Sequence, residues 1–322
     1  MKNCLCCGNV LRSASAEKFG WHTSCIKNFF GTNAFPDIDI SEDVLKQLAL
    51  DSTNKGYTVP GVQKKLSLHL TEHPEPRLTL INYPTGYILK PQTDNFCALP
   101  EMEYLIMQMA VISGIKTVPF ALVKLSSQDN AYAYITKRID RDNGYFFAME
   151  DFCQLDGRLT EDKYRGSYER CGKIVSQYSF SAGLDLTELF LRIVFSFSVG
   201  NSDMHLKNFS LIETAEGNAK YKLSAAYDML STNVVIPKDT EELALTLNGK
   251  KQNIRYKDFI IYADNIGLPP KTAERLIEKI AKLETKYTEM CNNSYMPNDM
   301  KNSLSNLIKQ RIAVLTNKNV MR

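Results

Sequence analysis

Within the stretch Asn201 to Asn208, reading NSDMHLKN, the chain sets a carboxylate, an imidazole, an ammonium group and two carboxamides side by side. Asp203 can accept a proton from a hydroxyl, and Lys207 can face a phosphate. Asn208 can give a metal an oxygen ligand without adding negative charge, and Asp228 supplies a further carboxylate downstream. Phosphoryl transfer needs this division of labour: one oriented carboxylate, and a separate set of oxygens for magnesium. Two other chemistries use the same residues. The stretch can be a polar loop that caps a core helix, or Asp203, His205 and Asp228 can ligate a hydrolytic metal. A single histidine with widely spaced aspartates argues against the hydrolase, and His205 reads better as a brace of the loop.

Positioning these groups falls to flanking apolar segments. Leu189 to Val199 is an apolar run suited to a buried helix, with Ser181-Ala182-Gly183 as an interruption before it. Asn201 to Ile212 and Lys220 to Leu223 frame a hairpin around Glu216-Gly217-Asn218, and such a hairpin returns Asp228 toward Asn208. Earlier in the chain, Gly61 permits a tight turn, Gln63 and Lys65 follow it, and Leu66, Leu68 and Leu70 alternate as in a strand. One glycine and two lysines do not make a P-loop, so an exposed hairpin remains an alternative. Lys90 ends the strand candidate Gly86 to Pro91. Glu103, near the start of a helix over Glu101 to Ile112, can either orient Lys90 or sit as a solvated first-turn acid. Val118 to Leu125 and Tyr132 to Lys137 read as two more strands. Lys137 to Arg141 is a crossing whose backbone, at Lys137 and Ile139, can meet an adenine edge.

From Glu150 the pattern turns helical. Glu150 to Gln154 has the composition of a helix start, and Tyr164 to Tyr168 reads as a partner-facing loop. Ser41 can cap a short helix over residues 41–49. After Pro269-Pro270, the residues Ala273, Leu276, Ile277, Ile280 and Leu283 mark an amphipathic helix, and Leu304 to Leu315 a second.

Half of the eight cysteines fall in the first 25 residues. Cys4-x-x-Cys7 and His22-x-x-Cys25 offer four soft ligands in two close pairs, the pattern of a closed tetrahedral zinc knuckle. Cys6 leaves the ligand set open. With no vacant position such a zinc is structural, and the remaining cysteines read as ordinary thiols rather than a disulfide framework.

The 322 residues are 44% hydrophobic and 23% charged with a formal charge of +3. That balance suits a folded chain and gives no field for independent binding of nucleic acid. The sequence shows no signal-peptide core, and its most apolar run is short and carries Arg192, so a soluble, cytoplasmic protein is expected, with no membrane partner. The strand-rich first half and helical second half indicate an α+β fold. Three parts are expected: 1–36 as a cysteine-rich extension, 37–140 as a small mixed lobe with a phosphate-binding loop, and 141–322 as a mainly helical lobe.

The ordered set Gly61-x-Gln63-x-Lys65, Ile88-x-Lys90-Pro91, Glu103, Arg138-x-Asp140-Arg141, Glu150-Asp151-x-x-Gln154, Asn201-x-Asp203-x-His205-x-Lys207-Asn208 and Tyr227-Asp228 resembles the HipA family of serine/threonine kinase toxins. The resemblance runs over about residues 55 to 322 and implies a bilobal protein-kinase-like fold. It implies that Asp203 is the catalytic base, that Asn208 and Asp228 hold Mg2+, that Lys90 contacts ATP phosphates and that Gly61 to Lys65 cover them. It places an inhibitory autophosphorylation site at Thr58, where relatives carry serine. Met102 replaces a common asparagine and Ala225 a common proline. Only about 55 residues precede the phosphate loop, as in short forms whose N-terminal subdomain is a separate small protein. The family further implies a helix-turn-helix antitoxin of HipB type that reaches DNA, so that contact with DNA is indirect. It also implies a protein substrate such as an aminoacyl-tRNA synthetase. A catalytically inactive scaffold that supports repression is the alternative.

Overall fold

Alternating β-branched and aromatic residues in segments such as YAYITK suit a pleated, half-buried surface, and they form a sheet. The computed structural model describes residues 3–12, 18–38, 65–71, 76–79, 86–93, 95–125, 131–142 and 145–317. Thr58, Gly61, Gln63 and the helix expected over 41–49 lie outside them. The chain divides into two compact units: Met1–Tyr104 with Val118–Ile139, and Leu105–Thr117 with Asp140–Arg322.

In the first unit, α1 (Thr23–Phe30) precedes β1 (Asp37–Ile38), β2 (Leu66–Thr71), β3 (Arg77–Thr79), β4 (Tyr87–Pro91), α2 (Leu99–Ile112), β5 (Phe120–Lys124) and β6 (Tyr132–Lys137). The strands form a six-stranded sheet in the order β1-β3-β2-β4-β6-β5. β1 pairs parallel to β3 and the other pairs are antiparallel. β4 lies inside the sheet, where Lys90 stands opposite Tyr134 of β6. Leu89, Ala121, Leu122, Val123 and Ile135 are fully buried. The division between units falls within α2, after Tyr104.

The second unit opens with the small hairpin β7 (Arg141–Asp142) and β8 (Tyr145–Phe146), followed by β9 (Met149–Asp151) and α3 (Phe152–Leu155). The helix start expected within Glu150 to Gln154 is present, and a strand ends inside the same span. Glu150 pairs with Leu211 as a strand residue, and the helix begins at Phe152 behind Asp151. Asp151 closes a capping box with Gln154, which explains the helix-like composition. α4 (Tyr168–Tyr178) is capped by Ser167, whose hydroxyl accepts from Arg170 N at 3.2 Å.

α5 (Ala182–Ser198) is the core helix of this unit. Every residue from Leu189 to Ser198 is buried, as an all-round apolar helix requires. β10 (Ser210–Glu213) and β11 (Tyr221–Leu223) make the expected hairpin, with Leu211 opposite Leu223, and β9 pairs on the other side of β10. Glu213 fixes its turn by accepting the Ala219 amide at 2.9 Å.

α6 (Thr232–Val235), α7 (Tyr256–Asn265), α8 (Pro270–Ala281), α9 (Glu284–Asn292) and α10 (Asn298–Thr316) complete the packing. Phe190 of α5 stacks on Tyr262 of α7, and Phe197 meets Phe259 edge-on. Among the described residues no helix is long and apolar enough to cross a membrane.

Arg192 is the one cation in the buried run of α5 and is 1% exposed. Its Nε donates to Glu188 Oε1 at 2.9 Å and its Nη2 to the Ser224 carbonyl at 2.7 Å. Burial lowers its pKa, which the Glu188 carboxylate counters. Arg192 therefore fixes the segment leading to Asp228. In Arg192→Met the methionine fills much of the volume but leaves the Ser224 carbonyl and Glu188 without this donor. Urea unfolding is expected to show a loss of about 3 kcal/mol.

Candidate active site

A lysine among the apolar residues of β4 needs an anion. Lys90 Nζ lies 2.6 Å from Glu103 Oε1, with the two side chains 4% and 1% exposed. Lys90 also stands 5.3 Å from the centre of the Tyr134 ring. Of the two roles open to Glu103 in the sequence, the structure shows the ion pair. Lys65 lies immediately before β2. The amide of Lys137 donates to Pro119 O at 3.0 Å and that of Arg138 to Gly86 O at 2.8 Å. Ile139 is the last residue of this unit.

In the second unit the chain leaves α5 through Gly200, at φ +67°, and a Cβ there would lie 2.4 Å from Leu307 Cδ2. The left-handed conformation favours glycine here, and a Cβ would also push on the end of the Leu307 side chain. From Asn201 to His205 the backbone is irregular and mostly buried, so its polar groups depend on side chains for partners. Asn201 Oδ1 accepts from Asp203 N at 3.1 Å. The Ser202 amide donates to Thr232 Oγ1 at 2.7 Å and its hydroxyl to Asp239 Oδ2 at 2.6 Å. Tyr168 Oη donates to Met204 O at 3.1 Å.

Asn208 Nδ2 donates to the Asp203 carbonyl at 2.8 Å, which commits the amide nitrogen to the loop backbone and leaves Oδ1 as the acceptor of the group. Tyr227 Oη donates to Lys207 O at 3.2 Å and meets Ser210 Oγ at 2.5 Å. The residue before Asp228 is thereby tied to the residue before Asn208. Asp228 has φ +55°, a left-handed conformation that costs a non-glycine residue about 1 kcal/mol or more. Its segment is pinned by the Ala226 amide, which donates to Lys116 O at 2.7 Å. Lys207, expected to face phosphate, is paired with Asp151 Oδ2 at 2.7 Å and so joins the loop to the cap of α3.

Tyr164, in the segment read from the sequence as partner-facing, is 40% exposed and also reaches the loop. The segment Tyr164 to Tyr168 supports the loop: Tyr168 is fully buried and the Tyr164 hydroxyl donates to Asp203 Oδ1. Burial raises the pKa of Tyr164, and the Asp203 charge adds to it. The hydroxyl therefore remains the donor. The Tyr164 ring meets His205 edge-on at 4.9 Å. His205 is 5% exposed and its Nδ1 has no hydrogen-bond partner. Burial lowers its pKa to about 4, against the pull of the Asp203 and Asp228 carboxylates. Neutral at pH 7, it braces the loop as an apolar ring.

The structure thus gathers Asp203, His205, Lys207 and Asn208 on one loop with the Asp228 segment tied to it, and it pairs Lys90 with Glu103 in the other unit. Tyr164, Asp151 and Thr232 were not singled out for these roles, because hydrogen bonds between residues far apart in the chain leave no periodic signal. In the first unit, Cys4, Cys7, His22 and Cys25 place their ligand atoms within 4.8 Å of one another, and Cys6 is not among them.

The family model for the HipA-like C-terminal domain matches residues 57–287, more than half of the chain. A Haemophilus influenzae protein named "Putative kinase" is 27% identical over 289 residues, 81% of this chain and 82% of its own length. A Sinorhizobium fredii protein, "Putative kinase Y4dM", is 32% identical over 188 residues, 55% of this chain and 45% of its own.

Among solved structures, HipA from the Shewanella oneidensis MR-1 toxin–antitoxin complex of HipA, HipB and operator DNA matches with a TM-score of 0.65 at 20% identity, covering 80% of this chain and 64% of that one. The Helicobacter pylori proinflammatory kinase CtkA matches with a TM-score of 0.53 at 16% identity, covering 74% and 90%. At these identities the likeness is one of fold, which is protein-kinase-like. The chain spans less than two thirds of the HipA chain and less than half of Y4dM.

The buried His205 sets a pH dependence. Its folded-state pKa, about 4, lies below the ordinary 6.5, so between these values the unfolded chain binds the proton and the folded chain does not. Stability is complete above pH 6.5 and is lost as pH falls toward 4, by about 3 kcal/mol in all. His205→Gln is expected to flatten that part of a profile of denaturation midpoint against pH. An unchanged slope would remove His205 as its source.

Proposed function

The chain belongs to the HipA-like C-terminal domain family, and on that premise we propose that it is an ATP- and Mg2+-dependent serine/threonine protein kinase, the toxin of a bacterial toxin–antitoxin pair. The observation that carries this reading is the pair of hydrogen bonds from Asn208 Nδ2 to Asp203 O and from Tyr227 Oη to Lys207 O. They hold the backbone at Asp203 and Lys207 and leave the Asn208 carboxamide oxygen as an acceptor, which supports the division of roles that transfer to a hydroxyl requires. Asn208 Oδ1 and the Asp228 carboxylate form a hard oxygen donor set that fits Mg2+. When bound, the ion supplies neutralisation of phosphate charge.

The residues of the chain supply the rest. Lys90, oriented by Glu103, meets the phosphates of ATP, with Lys65 and the loop through Gly61 and Gln63 covering them. The backbone at Lys137 and Ile139 meets the adenine. Asp203 accepts the proton of the substrate hydroxyl as its oxygen bonds to the γ-phosphorus and the bond to the ADP oxygen breaks. Lys207 holds the loop through Asp151, and His205 holds the Tyr164 ring. Thr58 keeps the hydroxyl needed for autophosphorylation, and the added charge would expel its loop from the phosphates.

An antitoxin of HipB type is the proposed partner, supported by the HipA, HipB and operator DNA complex of Shewanella, with DNA reached only through it. The substrate is a cellular protein, with aminoacyl-tRNA synthetases as first candidates, in the cytoplasm. A second reading has its own support. The Tyr164 hydroxyl occupies Asp203 Oδ1, where a substrate hydroxyl would donate, as an inactive scaffold that binds an antitoxin would allow.

Labelled ATP, Mg2+ and a bacterial lysate separate the two. Transfer to Thr58 or to a lysate protein is expected, with a loss of about a thousandfold or more in Asp203→Ala, since the base is removed. Tyr164→Phe is expected to retain transfer or raise it severalfold. If ATP binds but neither the natural chain nor Tyr164→Phe transfers phosphate, the scaffold reading stands.

A further inference from the structure

A converging set of soft donors calls for an ion whether or not the chain is a kinase. Cys4, Cys7 and Cys25 each aim a sulfur, and His22 its Nδ1, at one point, all within 4.8 Å of one another. Tetrahedral zinc, with bonds of about 2.3 Å to sulfur and about 2.0 Å to nitrogen, separates its ligand atoms by roughly 3.5–3.8 Å. Cys7 Sγ and Cys25 Sγ lie 3.4 and 3.8 Å from His22 Nδ1.

The surroundings orient these donors. His22 Nε2 lies 3.2 Å from the Val10 carbonyl and donates to it, so that Nδ1 carries the lone pair facing the sulfurs. The His22 amide donates to Cys4 Sγ at 3.5 Å. Gly8, at φ +75°, turns the chain behind Cys7. All four cysteines of the segment, Cys6 included, are free thiols.

We propose that Cys4, Cys7, His22 and Cys25 bind one structural zinc ion, and that this ion holds the part of α2 that presents Glu103. Three thiolates and an imidazole select a soft ion over magnesium or calcium, and four protein ligands leave no position for catalysis. Cys6 contributes its carbonyl instead of its sulfur. Tyr104 Oη reaches Cys4 O at 3.3 Å and Cys6 O at 3.4 Å, so the residue beside Glu103 is anchored on the turn that carries two of the ligands.

The same segment covers the edge of the sheet. Leu122 N of the edge strand β5 donates to Leu5 O at 2.9 Å, and Trp21 Nε1, beside His22, donates to Leu122 O at 3.0 Å. Trp21 is fully buried against Phe29, Phe30 and Phe35. Zinc binding is therefore folding energy for β5 and the start of α2. Tyr104 acts as a positioning residue for the Lys90–Glu103 pair.

The coupling to Glu103 rests on the nucleotide reading above; the metal site does not. The experiment is elemental analysis of the full-length chain purified without chelator, alongside thermal melts and titration with Mg2+-ATP. One zinc per chain is expected, released by a mercurial thiol reagent. A Cys7→Ser, Cys25→Ser variant should lose the zinc and melt at least about 5 °C lower, while Cys97→Ser keeps both. Absence of zinc after growth with added zinc, iron in its place, or a disulfide among these cysteines by mass analysis would overturn the site.

Tyr104→Phe is expected to keep its zinc and raise the KM for ATP severalfold, with a smaller change in kcat. Retained zinc with unchanged ATP affinity would overturn the coupling alone. A natural chain that holds zinc but never binds ATP would overturn the nucleotide reading and the coupling with it, leaving the metal site standing.

Discussion

The ion pair between Lys90 and Glu103 constrains the first unit more than any other contact. An ammonium and a carboxylate 2.6 Å apart and almost without water cannot be separated in place, because a buried charge without its partner costs about 3–5 kcal/mol. β4 and α2 must therefore keep one register. β4 is held between β2 and β6, and the position of Lys90 follows from its place opposite Tyr134. α2 needs an equal hold beside Glu103, and Tyr104 provides it on the carbonyls of Cys4 and Cys6. The cysteine-rich segment is thus continuous with the sheet, through Leu5 and Trp21 on β5.

The second unit solves a different problem. Its functional loop has to be irregular, so that side chains can point where a helix or strand would not aim them. It is also buried, so its backbone must find partners. Those partners come from afar: Thr232 for the Ser202 amide, Tyr168 for Met204, Tyr227 for Lys207. Arg192 and Lys116 do the same for the segment before Asp228. The loop is rigid because many single bonds, each worth about 1 kcal/mol, converge on it from elements fixed by the apolar core.

These two kinds of construction decide what could be read in advance. The run Leu189 to Val199 revealed α5, and the turn at Gly217 revealed the β10–β11 hairpin, since period and turn chemistry are local. The ordered motifs revealed the family and its fold. β9 was missed because three residues are too few to show alternation and Asp151 carries a helix-capping signature. The bond of Tyr164 to Asp203 was not foreseen, because an aromatic in a loop gives no sign of which carboxylate it will meet. The Cys/His cluster stayed open at Cys6 because spacing allows any of three neighbouring thiols, and only the turn after Cys4 decides which sulfurs lie together with His22 and Cys25. Thr58, Gly61 and Gln63 lie outside the described residues.

The charge states of the two units follow one rule. Where a group must be charged, the fold gives it an oppositely charged neighbour: Glu103 for Lys90, Asp151 for Lys207, Glu188 for Arg192. Where a group is neutral, burial outweighs its oppositely charged neighbours. His205 beside Tyr164 is the case in point, its ring desolvated despite two nearby aspartates. A protonated His205 would offset the charge of Asp203 and Asp228. A neutral one leaves the negative field of both carboxylates uncompensated by its ring. Desolvation at this single ring therefore serves the loop twice, as packing for Tyr164 and as the removal of a positive charge beside Asp203 and Asp228.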